Sequence, residues 1–445
     1  MSRNQNEKRR AKKQSGRLTN KIGKSNSINH GTPEKTSEIV KISEFGHRGD
    51  GIAKLKNGKN CFIPYTLPGE IVKIEGTKNK YNLLEIQKAS KNRIEPFCPH
   101  FTICGGCKTQ QLELSAYRSW KHGIVEKALK NQGLDVAVDP LIDAHGIGRR
   151  RVSFHAKRDK NRINAGLMKY RSHEILDIDN CPILVPALSQ GINIVRDIAR
   201  VIPHRSKPLD IQLTASENGI DCNINGCPVD GSTLFIEITE LARKFDLARI
   251  SLNRDVVIER NVPVISIDDT KITLPPASFL QPTVDGENIL ASLVLDHIRD
   301  ATHIADLYCG IGTFAIRMAK WAAVTAFDND TLSIAALNKA INHAQGLKPV
   351  MAVERDLARE PLFTKELKKF DAVVFDPPRS GAKTQAEQLA VSNVEKIIAV
   401  SCDPASFALD ASILNKGGFI LKRVTPIDQF KFTPHIELVA KFERA

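Results

Sequence analysis

From Ser37 to about Ala89, apolar and polar residues alternate in five short runs parted by glycine turns: EIVKISEFG, GIAKLKNG, NCFIPYTLPGE, IVKIEGTKN and YNLLEIQKA. A period of two over such lengths predicts strands, and five in succession predict a small antiparallel barrel. The period lengthens to that of an amphipathic helix in ELSAYRSWKHGIVEKALKNQG, which Gly133 should end. Residues 145 to 181 read as a hairpin. After about Lys271, strand-like runs (HIADLYCG, VTAFDND, MAVERD, FDAVVFDPP, KIIAVSCDP, GFILKRVTP) alternate with helical stretches. That alternation predicts a doubly wound, Rossmann-like domain with ligands at the carboxyl ends of its strands. The last pair, GFILKRVTPIDQF and HIELVAKFER, should form an antiparallel edge hairpin. The fold class is therefore multidomain α/β: a tail over 1–36, a β-barrel over 37–90, a central α+β domain over 91–270 and the doubly wound domain over 271–445.

A chain of 445 residues, 42% hydrophobic and 26% charged, suits a soluble protein of several domains. It contains no apolar run near the ~20 residues that cross a bilayer and no secretory h-region, so a cytoplasmic monomer without membrane contact is expected.

Charge changes the picture. The net charge is +14, and residues 1–36 hold ten Lys or Arg against Glu7 and Glu34, more than half of that excess. Such a segment, almost without apolar residues, should be a disordered basic arm or a solubilising tail. In the 145–181 hairpin Arg149, Arg150, Arg151, Lys157, Arg158, Lys160, Arg162, Lys169 and Arg171 are interleaved with Phe154, His155 and Tyr170. Cations mixed with rings grip phosphates and stack bases, so RNA is the favoured partner over a merely solvated hairpin.

Three of nine cysteines fall in C-P-H-F-T-I-C-G-G-C, residues 98–107. In a reducing compartment, clustered thiols point to metal ligation rather than disulfides. Spacing alone leaves a four-cysteine zinc site open.

The first turn of the doubly wound domain is D-L-Y-C-G-I-G-T, Asp306 to Thr313, with Gly310 and Gly312 behind an acid, a form common where S-adenosylmethionine binds. Asp328, 22 residues after Asp306, is placed to accept ribose hydroxyls, and Asp356 to accept from the adenine amine. F-D-P-P-R-S-G, Phe375 to Gly381, is like the loops of amino-group methyltransferases but has Arg379 where an aromatic is usual. V-S-C-D-P puts Cys402 at a strand end and helix start, where amides can lower a thiol pKa. A thiolate beside a methyl donor suggests addition to C6 of a pyrimidine, which makes C5 able to accept a methyl group. A base must then remove the C5 proton. F-T-P-H-I-E offers His435 and Glu437 two residues apart, hence on one side of a strand, with Glu437 the chosen base. Methylation of an exocyclic amine without a covalent adduct is the rival chemistry, and an RNA-binding assembly factor with a vestigial pocket the rival class.

Together these residues resemble the RNA 5-methyluridine (uracil-C5) methyltransferase family, in particular its large-subunit rRNA branch, from about residue 37 onwards. The barrel, with GDGIAK and TLPGE, is similar to that family's RNA-binding TRAM domain. The resemblance implies that Cys98, Cys104, Cys107 and, in D-N-C-P-I-L, Cys181 ligate a 4Fe–4S cluster. It implies that Gln281, Tyr308, Thr313, Asp328, Asp356 and Asp376, with Gly310 and Gly312, hold S-adenosylmethionine, that Cys402 is the nucleophile and that Glu437 is the base. The implied substrate is 23S rRNA, with tRNA the alternative. Departures are Asp403 and Thr283 where the family has Asn, and Lys431 where it has Pro.

Overall fold

The computed structural model describes residues 36–77, 80–159, 162–203, 207–228 and 232–445. The basic tail, but for Thr36, and Lys160 of the hairpin lie outside the described residues. No described helix is long and apolar enough to cross a membrane.

Five strands, β1 (Thr36–Phe45), β2 (Asp50–Lys54), β3 (Asn60–Pro64), β4 (Ile71–Thr77) and β5 (Lys80–Lys88), form the expected antiparallel sheet in the order β3-β2-β1-β4-β5. β3 also packs against β5, curling the sheet into a barrel. Alternate residues fill it: Val72 and Ile74 of β4 are fully buried beside Ile42, Ala53 and Ile63.

The helix expected next is α1 (Leu114–Asn131). The Glu113 carboxylate accepts from the amides of Ser115 and Ala116 at its start, and Gly133 follows its end at φ +71°. Sequence grouped α1 with the central domain. Its buried stripe, Val125 and Leu129, instead packs with Phe407 and Phe442 of the C-terminal domain, each burial contributing about 2 kcal/mol. The short β6 (Ile142–Asp143) follows it.

The central domain is a seven-stranded sheet, β13-β12-β11-β10-β7-β8-β9, with α2 (Gly191–Val201) and α3 (Phe235–Lys244) packed on it. Its strands are β7 (Arg151–Asp159), β8 (Arg162–Met168), β9 (Ile175–Asp177), β10 (Leu209–Ser216), β11 (Gly219–Asn225), β12 (Leu247–Leu252) and β13 (Asp255–Glu259). The basic hairpin is real, as β7 and β8, but not all its cations face outward. Phe154 is a core residue, and Arg150 is buried in an ion pair with Glu287 at 2.5 Å. Arg171 pairs with Asp50 of the barrel at 2.9 Å. Arg150, just before β7, and Arg171, in the turn after β8, thus tie the hairpin to neighbouring domains, although Arg171 remains exposed.

The C-terminal domain opens with a hairpin, β14 (Val264–Ile267) and β15 (Thr270–Thr273), then α4 (Val284–Ile298). Strands β16 (His303–Leu307), β17 (Ala323–Asp328), β18 (Val350–Glu354), β19 (Ala372–Phe375) and β20 (Lys396–Ser401) are parallel. Between them lie α5 (Ala315–Met318), α6 (Thr331–His343), α7 (Thr364–Leu367) and α8 (Lys383–Ala390), with α9 (Pro404–Lys416) after β20. Then come β21 (Phe419–Asp428) and β22 (Glu437–Arg444), and the sheet order is β18-β17-β16-β19-β20-β22-β21-β6. Helices cover both faces, so β19 is apolar at every position: Val374 points into one core and Val373 and Phe375 into the other. The terminal hairpin is not a free edge. β22 inserts antiparallel between β20 and β21, and β6 pairs beyond β21.

Candidate active site

The order of successive strands reverses between the parallel β16 and β19, which opens a crevice above their ends. Asp306 ends in that crevice fully buried, and burial followed by the charge of Asp376 holds its carboxyl far above the usual range. Neither of its oxygens closes a hydrogen bond, although the Ala315 amide approaches. The loop after β16 then turns sharply: Tyr308 has φ +63°, Gly310 +53° and Gly312 +92°. A Cβ on Gly312 would come within 2.5 Å of Leu337, whereas one on Gly310 would meet nothing within 4 Å, so open space lies over Gly310. Asp328, ending β17, accepts the Gly310 amide at 2.8 Å, and Thr313 starts the turn into α5. Asp356 lies two residues beyond β18 and caps its own turn through the amides of Ala358 and Arg359. Gln281 comes in from the loop before α4, donating to Asp376 at 3.4 Å. The structure thus gathers Gln281, Tyr308, Gly310, Gly312, Thr313, Asp328 and Asp376 at the crevice, with Asp356 at the end of the neighbouring strand.

Cys402 follows β20, and Glu437 begins the adjacent β22. The carboxyls of Glu437 and Asp376 are both buried, and burial raises both above the ordinary range, with the charge of Asp376 raising Glu437 further. Cys402 is pushed up to about 12, by burial and then by Glu437 and Asp376, while a hydrogen bond from Arg379 acts the other way. This corrects the expected lowering by helix amides. Asp403 caps α9, accepting from Ala405 and Ser406 at 2.9 and 3.0 Å, and so takes the amides that would have served the thiol. His435 is not on the strand with Glu437 but in the turn before it, against Phe430 at 5.9 Å. Burial and the cations Arg379, Lys121 and Arg149 lower it to about 4, leaving a neutral imidazole.

A cavity of about 490 Å³ opens beside Arg379 and His435, walled by Arg48, Lys108, Arg149 and Phe430. Arg149 stacks on Phe430 at 5.6 Å, and its Nε and one Nη are buried without a hydrogen-bond partner. Across Gly105 and Gly106 the cavity meets a second, of about 560 Å³, lined by Lys169, Tyr170, Arg171 and His173.

The cysteine loop reaches these walls by pairing with the hairpin: Gly105 N donates to Met168 O and Tyr170 N to Ile103 O. The fold brings Cys98, Cys104, Cys107 and Cys181, all partly buried, into electrostatic reach of one another. Burial raises Cys107 to about 12 and Cys181 to about 11, and Arg149 opposes both shifts. Among the described residues no group of three or more His, Cys, Asp or Glu is set to hold a single metal ion.

Residues 36–85 match the TRAM domain, and residues 232–444 match the tRNA (uracil-5-)-methyltransferase family. An RNA methyltransferase of Brucella melitensis, described as uncharacterized, is 42% identical over 92% of this chain and 98% of its own length. The chain belongs to the RNA uracil-5-methyltransferase family. It is an RNA methyltransferase, and RNA is its substrate class. The 23S rRNA (uracil(1939)-C(5))-methyltransferase RlmD of Vibrio vulnificus is 27% identical over 93% of this chain and 97% of its own. The solved tRNA (uracil-54, C5)-methyltransferase of Pyrococcus abyssi, in complex with S-adenosyl-L-homocysteine, shares the fold at TM-score 0.69 and 23% identity, covering 91% of this chain and 99% of that one.

Sequence reasoning about this methyltransferase missed a layer of supporting residues. Gln429 hydrogen-bonds Glu437 and donates to Gln281, so it ties the β22 carboxylate to the crevice. Lys121 is fully buried beneath the loop between β21 and β22. A signal for the lysine existed: Tyr117, Lys121 and Val125 recur every four residues, so the cation sits on the buried stripe of α1.

Proposed function

We propose that the protein is an S-adenosylmethionine-dependent uracil-C5 methyltransferase acting on 23S rRNA through a covalent Cys402 adduct. The observation that carries this reading is the meeting of Cys402 and Glu437 from adjacent strands, with Arg379 on the sulfur and Asp376 beside the carboxylate. The Cys402 thiol gives its proton to solvent as Arg379 stabilises the forming thiolate, which adds to C6 of the uracil and moves an electron pair toward C5 and O4. S-adenosylmethionine supplies the methyl group that C5 takes. Glu437, ionised, accepts the C5 proton; that electron pair closes the C5–C6 double bond and expels the Cys402 thiolate. The raised carboxylate is suited to taking a proton near neutrality.

The crevice fits the methyl donor. Open space over Gly310, the orphaned Asp306 carboxyl and the backbone-anchored Asp328 make a polar cradle at a strand end. Gln281, Tyr308, Gly310, Gly312, Thr313, Asp328, Asp356 and Asp376 would hold the donor there. The linked cavities suit RNA: among the described residues neither is lined by a carboxylate, and both are rich in Arg and Lys. The target uridine would turn out of its stack into the space beside Arg379. The four part-buried thiols, two of them (Cys107 and Cys181) in reach of the Arg149 guanidinium, suit an anionic 4Fe–4S cluster, which Cys98, Cys104, Cys107 and Cys181 would hold. No step of the methylation passes through it.

RlmD's likeness along nearly the whole chain supports 23S rRNA as the substrate. The test is tritiated methyl transfer to 23S rRNA and tRNA from cells lacking the gene, with the product located by nuclease mapping. Methyl at C5 of a uridine in 23S rRNA is expected; label only in tRNA, or on an exocyclic amine, would overturn the assignment.

A further inference from the structure

We infer that Lys121 is a positioning residue for the base: from beneath, it holds the loop that delivers Glu437 to the substrate. The inference rests on the reading of Glu437 as the base.

All three donors of this ammonium are spent on one loop. Lys121 Nζ donates to Asp428 Oδ1 at 2.5 Å, to Phe430 O at 3.3 Å and to His435 O at 2.6 Å. The loop is thus gripped where it leaves β21 and again two residues before Glu437. Tyr117, one turn earlier on α1, donates to Asp428 Oδ2 at 2.7 Å and accepts from Phe432 N at 3.0 Å. Lys108 N donates to Phe432 O at 2.8 Å, so the segment after the cysteine loop joins the grip. Phe432 itself stands at φ +64°, a backbone conformation that needs outside support in a residue with a Cβ. The side chain is completely shielded from water, where a lysine is rarely found without such a purpose.

The ammonium also acts through its charge. Glu437 is faced by Asp376 and Cys402 and by the cations Arg379 and Lys121, with Gln429 as a hydrogen-bond donor. Lys121 in turn is faced by Asp428, Asp143, Arg149 and Tyr117. Removing the ammonium takes away one of the two cations that favour ionised Glu437. The carboxylate then holds its proton to higher pH, and the loop that aims it loses its tether.

The experiment compares wild type, Lys121→Met and the double variant Lys121→Met/Asp428→Met, which removes both partners and leaves no lone buried charge. Each is assayed for kcat, KM, pH profile and covalent RNA complex with ordinary uridine substrate. A misaimed base slows proton removal after the methyl has moved, so an enzyme–RNA adduct resistant to denaturant should accumulate. We expect kcat to fall by on the order of a hundredfold at nearly unchanged KM. The rising limb of kcat against pH should move to higher pH, and the adduct should build up. Wild-type turnover in either variant overturns the inference, as does slow turnover without adduct and without a displaced limb. Glu437→Gln separates the two readings: if that variant turns over normally, the base assignment fails and the inference falls with it, whereas an inactive Glu437→Gln beside a fully active Lys121→Met overturns the role of Lys121 alone.

Discussion

Gln429 Nε2 donates to Gln281 Oε1 across 2.7 Å, joining the end of β21 to the loop before α4. Gln281 donates on to Asp376, and Gln429 also hydrogen-bonds Glu437, so one amide chain spans the pocket between the two raised carboxyls. Gln429→Leu should leave the buried Gln281 amide short of a partner, costing about 1–3 kcal/mol in denaturant unfolding. It should also move the rising limb of kcat to higher pH, because a hydrogen bond that favours ionised Glu437 is lost.

The carboxyl of Glu437 is raised from its usual 4.5 by burial and by Asp376. An acid whose folded pKa lies above its unfolded one binds protons more tightly when folded. Its favourable contribution is full below the unfolded pKa and disappears as pH rises through the folded one. Glu437→Gln, a mimic of the neutral acid, should therefore change Tm little at pH 4.5 and raise it at pH 8. The gain is about 1.4 kcal/mol for each pKa unit the folded protein imposes. Calorimetric melting at the two pH values checks the sign.

Arg150 of the basic hairpin and Lys108, just after the cysteine loop, are both cations, yet the structure gives them different work. Arg150 is buried against Glu287 and donates to Gln281 O at 3.0 Å, whereas Lys108 lines both cavities. Arg150→Met should cost about 3–5 kcal/mol of stability and leave the salt dependence of RNA binding unchanged. Lys108→Ala should do the reverse, reducing the slope of log K against log salt by about 0.7 if it meets one phosphate of a single strand.

The cysteine proposal has a direct check. Protein purified without oxygen should be brown and contain iron and sulfide, and Cys181→Ser should lower both. Colourless wild-type protein with stoichiometric zinc would contradict the iron–sulfur assignment.

Much of the architecture was legible because the two periods of the chain are clean. The alternation in IVKIEGT and the unbroken apolar run AVVF state, without any tertiary knowledge, which strand is half-buried and which is covered on both faces. The loop D-L-Y-C-G-I-G-T and the strand-end Cys402 were legible for the same reason: their chemistry is local. What stayed hidden depends on contacts between distant segments. Nothing near Arg150 names Glu287, 137 positions away, and nothing near Lys121 names Asp428, 307 away. The Cys402 environment was misread because the cap that competes for the α9 amides is the next residue, Asp403. Its identity was plain in the sequence, but its conformation was not.

The proposed methylation depends on a bond between Cys402 Sγ and C6 of a uracil. RNA carrying 5-fluorouridine at the target position has no C5 proton for Glu437 to remove, so the methylated adduct cannot break down. Incubated with this RNA and S-adenosylmethionine, wild-type protein should form a complex that survives denaturing electrophoresis, and Cys402→Ala should form none. Full turnover by a Cys402→Ser variant, or methyl transfer by wild type with no trapped complex, would contradict it.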